Sequence, residues 1–109
     1  MKLKNTSAWP DPFIRRMIRI ACQLWEHQVK RIDRVDIRNT GYTKSYSGRA
    51  YLDERRFVAT IGKDCSFRQV ANICIHEVGH LAIYWKEKRE GRAKDRRNGK
   101  GWGGSEEYI

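Results

Sequence analysis

An α+β domain is the fold class that the sequence predicts, on three observations. Ile14, Met17, Ile18, Ala21, Trp25 and Val29 recur at helical spacing. Between Arg31 and Gly62 the pattern changes to short runs with strand character. From Ser66 a second and longer helical pattern begins. With 109 residues, 39% of them hydrophobic, the chain suits a single small domain spanning 1–109.

The first helix is expected to begin in Trp9-Pro10-Asp11-Pro12, with Asp11 as N-cap and Pro12 at the first helical position, and to fade near Lys30. Val35-Asp36-Ile37 alternates and reads as a strand. Tyr42 to Gly48 reads as a turn or an irregular edge. Ala50-Tyr51-Leu52 and Phe57-Val58-Ala59-Thr60-Ile61 flank Asp53-Glu54-Arg55-Arg56, the expected turn of a hairpin. Ser66-Phe67-Arg68-Gln69 has the form of a capping box, and the helix it opens should reach about Glu90, with Gly91 just past its end. The segment 91–104 holds five of the nine glycines and reads as a loop.

Composition narrows the setting. No apolar run approaches the roughly 20 residues of a bilayer span. The basic start lacks the apolar block of a secretory signal. Three cysteines without CxxC spacing argue against a disulfide framework, so a cytoplasmic location is expected. The net charge of +10 favours polyanionic partners. Eight basic residues against three acids lie in 86–100, which makes that segment a candidate nucleic-acid contact.

Within the second helix stands Ile75-His76-Glu77-Val78-Gly79-His80-Leu81, an HExxH match. Residues four apart share a helical face, so both imidazoles can grip one ion. Glu77 lies about 100° around the helix, where it can take a proton from a metal-activated water without ligating. Gly79 costs helix stability, which suggests close approach of a neighbouring element. Ala71, Cys74, Ile75, Val78, Ala82 and Trp85 are expected on the buried side.

A catalytic zinc needs a third protein ligand and an open position. The metzincin extension is absent, since Ile83 and Lys86 occupy its positions, and His27 stands alone on the first helical stripe. Glu106, following Gly103-Gly104-Ser105, is the candidate, with Glu107 as the alternative. Iron, manganese and cobalt tolerate similar donor sets. Tyr84 and Tyr108 are candidate donors to a carbonyl oxygen. A closed structural zinc site would need Cys65 or Cys22.

The HEVGH stretch, preceded by a helix and a hairpin and followed by a distal Glu, resembles the zincin metallopeptidases. The Glu106 candidate resembles the gluzincin-like members, and the small size is similar to minimal gluzincins and to the ImmA/IrrE-type domain. The resemblance implies a zincin-like domain with an N-terminal helix, a short twisted sheet, the active-site helix and a short C-terminal helical turn. It further implies His76, His80 and Glu106 as Zn2+ ligands, Glu77 as general base, and a polypeptide substrate. Ser47-Gly48-Arg49-Ala50 and Gly99-Lys100-Gly101-Trp102-Gly103 resemble the SprT-like group, which acts on DNA-bound proteins, although Trp102 stands where that group has a His. The alternative function is a basic nucleic-acid-binding module on an inactive zincin scaffold.

Overall fold

The computed structural model describes residues 1–39 and 46–91. The first six residues open with a strand, β1 (Lys2–Asn5), that precedes the first helix α1 (Asp11–Leu24). Three further strands follow, β2 (Arg34–Asn39), β3 (Tyr46–Tyr51) and β4 (Arg56–Ile61), and then the helix α2 (Phe67–Arg89). The expected α+β class is what the structure shows. The sheet is mixed, in the order β1-β2-β4-β3. β1 and β2 run parallel through the α1 crossover, β2 and β4 run parallel, and β3 joins β4 as an antiparallel hairpin.

β1 is an addition to the sequence reading, in which the chain starts on a helix. Lys2-Leu3-Lys4-Asn5 holds one apolar side chain, too little for a periodicity signal. Parallel pairing with Arg34–Ile37 recruits it instead. Asn5 ties this strand to the next element: its amide donates to the Trp9 carbonyl at 2.6 Å and to Asp11 Oδ1 at 2.8 Å.

α1 differs from expectation at both ends. Pro10, in extended backbone, is its N-cap, so Asp11 is the first helical residue and places its carboxylate in the first turn. The helix stops at Leu24 rather than near Lys30 because Glu26 and His27 both take φ of 54°. His27 therefore lies beyond the helix. The apolar spacing still has a physical basis, since Val29 and Ile32 are buried in the core although they are not helical.

Both helices pack on one face of the sheet, and Val35, Ile37, Phe57, Ala59 and Ile61 fill the interface with at most 1% exposure. The hairpin turn falls at 52–55, with Arg56 already in β4. α2 carries the expected capping box: the Gln69 N–H donates to the Ser66 hydroxyl, and the Ser66 N–H donates to Gln69 Oε1. At its other end Lys86, Lys88 and Arg89 complement the helix dipole, and Gly91 takes φ of 78°. Val70, Ile73, Leu81 and Tyr84 join Cys74, Val78 and Ala82 in the interior, so α2 is buried over a wider arc than expected. Ala71, Ile75 and Trp85 are only half-buried. Among the described residues no helix is long and apolar enough to cross a membrane.

Candidate metal centre

The middle of α2 is held in place by two close approaches, each made possible by a glycine. Trp25, the C-cap of α1, packs against Gly79, where a Cβ would stand 2.5 Å from Trp25 Cζ2. Its indole N–H donates to the Ile75 carbonyl at 2.9 Å. The expected reason for a helical glycine is therefore met. The second approach comes from the sheet edge. Gly48, in the interior of β3, faces Glu77, and a Cβ there would fall 2.6 Å from Glu77 Oε2 and 2.8 Å from Cγ and Cδ. Any side chain at 48 would displace the carboxylate or push β3 off the helix.

These contacts fix the geometry of the motif. His76 and His80 bring their Nε2 atoms to 3.0 Å, with ring centroids 4.5 Å apart and the rings nearly perpendicular. Glu77 Oε2 lies 3.8 Å from His76 Nε2. One ligand atom from each of the three side chains falls within 4.8 Å of the others, and the donor set contains no cysteine. Two ligands at about 2.05 Å from a tetrahedral zinc are about 3.3 Å apart, close to the observed nitrogen spacing. The helix therefore presents two imidazoles in a span that one ion can bridge.

Glu77 is the unusual group. Its side chain is 3% exposed, and Oε1 is buried with no hydrogen-bond partner among the described residues. A buried polar oxygen without a donor is costly and rare. It is the feature expected where a metal-activated water would donate. Burial pushes the carboxyl up to about 7, near the range in which a carboxylate exchanges protons at neutral pH. The neighbouring Cys74 thiol is pushed up to about 12, first by burial and then by Glu77.

Of the predicted site residues, the structure brings His76, Glu77 and His80 together. Glu106, Glu107, Trp102 and Tyr108 lie outside the described residues, as does the loop beyond Gly91. Tyr84 is fully buried and its hydroxyl donates to Asp53 Oδ1, which occupies it away from a substrate carbonyl. Cys65 is buried and Cys22 half-buried, both apart from the cluster. Gly48 is the residue that sequence reasoning missed as part of the site. A glycine in a strand interior is the signal that marks it, but only the sheet order reveals that its partner is Glu77.

No protein-family model, no curated protein and no solved structure matches this chain. Its function is therefore argued from the site itself.

Proposed function

We propose that the chain is a zinc-dependent metallopeptidase of the zincin type, with His76 and His80 as metal ligands and Glu77 as general base. One observation carries the reading: two imidazole nitrogens 3.0 Å apart stand beside a buried carboxylate whose Oε1 has no partner among the described residues. Glu106 is the proposed third ligand, by resemblance to the gluzincins.

When bound, zinc supplies a water of lowered pKa and a Lewis acid for the carbonyl oxygen. The chain's own residues do the rest. Glu77 Oε1 accepts the proton of the attacking water and returns it to the leaving amine nitrogen. Gly48 leaves the space in which that carboxylate sits. Among the described residues β3 is one of the two edge strands, paired on one side by β4 and passing over Glu77. An extended peptide added along its other side would lie beside the site, held by backbone hydrogen bonds.

The test is hydrolysis of an unfolded polypeptide such as casein by the full chain. Cleavage should stop when a chelator removes the metal and return with zinc. Cleavage unaffected by chelation would overturn the reading.

A further inference from the structure

Among the described residues the helices cover one face of the sheet and no element covers the other, and cationic side chains predominate on that open face. Strand alternation sends Lys2 and Lys4 of β1, Arg34 and Arg38 of β2, Arg56 of β4 and Arg49 of β3 to it, as the register between the strands requires. The acid among them is Asp36, which is 5% exposed and bonded to Arg34 at 3.0 Å. Arg56 is paired with Glu54 of the hairpin turn at 2.9 Å. Lys2, Lys4, Arg38 and Arg49 are exposed and, among the described residues, form no ion pair. These cations are spread over four strands, a width of about 14 Å.

The face also carries an aromatic ring covered by cationic planes. Tyr51 lies under two guanidinium groups, Arg56 at 3.7 Å and Arg49 at 5.5 Å from its ring centroid. Val58 and Thr60 of β4 lie half-buried between the cations. The exposed large apolar side chains, Met1, Leu24 and Phe67, do not belong to these strands. Among the described residues the face thus lacks both the apolar wedge that enters a lipid surface and the apolar core of a protein interface.

We propose that this open sheet face binds nucleic acid, and single strands in particular, by contacting phosphates with Lys2, Lys4, Arg38 and Arg49 and stacking a base on the guanidinium plane held over Tyr51. Its residues are other than those of segment 86–100 and of the metal centre, and the inference does not depend on the peptidase reading. Along β3 the two sites lie back to back: Gly48 faces Glu77 through one side of the sheet, and Arg49 faces the opposite side.

The test is fluorescence anisotropy of the full chain with a labelled single-stranded oligonucleotide of about 20 residues. Four phosphate contacts on a single strand predict a slope of log affinity against log salt of about −3. Between about 50 and 200 mM salt that is a loss of about 50-fold. The variant Lys4→Glu/Arg38→Glu/Arg49→Glu should bind at least about 30-fold more weakly, with a slope shallower by about 2. The variant Arg15→Glu/Arg16→Glu/Arg19→Glu changes the net charge equally on the exposed side of α1 and should keep most of the affinity, which establishes the sheet face as the site. Equal losses in the two variants would reduce the effect to net charge and overturn the proposal. Unchanged binding by the sheet variant, or capture by anionic vesicles but not by the oligonucleotide, would overturn it as well. Thermal melts of both variants confirm folding.

Discussion

Replacing Glu77 by Gln should abolish hydrolysis while leaving the metal in place. The amide is nearly isosteric, so the packing against Gly48 persists, but it cannot accept the proton of an attacking water. General-base catalysis is worth about 10²- to 10⁴-fold, and kcat should fall by about that factor. Because Glu77 is the base and not a ligand in this account, zinc content should remain at wild-type level. The check is kcat and KM on one peptide beside metal analysis of both proteins. Equal turnover by wild type and Glu77→Gln would remove Glu77 from the chemistry.

In the metal-free protein the same carboxyl should impose a pH dependence on stability. Burial raises its pKa from 4.5 to about 7 in the folded chain, so the folded state holds the proton more tightly than the unfolded one. The stabilisation this gives is complete below the unfolded value and is lost as pH rises through the folded one. Relative to Glu77→Gln, the chelated wild type should lose about 2–3 kcal/mol between about pH 5 and pH 8.5. His76 at 3.8 Å and Cys74 are present in both proteins, so the difference reports Glu77 together with its coupling to them. Zinc should flatten the dependence, because a dication beside the carboxylate favours its charged form. Urea denaturation of both chelated proteins across this range measures it. A wild type whose stability tracks the Gln variant at every pH would contradict the burial argument.

The features legible in the sequence are those that depend on local spacing. The capping box Ser66–Gln69, the end of α2 before Gly91, the hairpin around Asp53–Arg55 and the shared face of His76 and His80 all follow from residues within a few positions of one another. Gly79 was legible as a notch because a glycine in a buried helix needs a reason, although nothing local named Trp25 as its occupant. What escaped depends on strand order. β1 has too few apolar residues to announce itself. The early end of α1 is hidden because Trp25 and Val29 continue the helical spacing after the backbone has turned. The role of Gly48 exists only once β3 is at the sheet edge above α2. The cationic face is likewise invisible in the chain, since Lys4, Arg38 and Arg49 come together only through the register of four strands.

The most direct measurement is calorimetric titration of zinc into the full chain and its variants. The account predicts one zinc per chain for wild type and for Glu77→Gln, weaker binding for Glu106→Ala, and a loss of at least about 100-fold in affinity for His76→Ala or His80→Ala. Zinc binding of equal stoichiometry and affinity in the double variant His76→Ala/His80→Ala would contradict it.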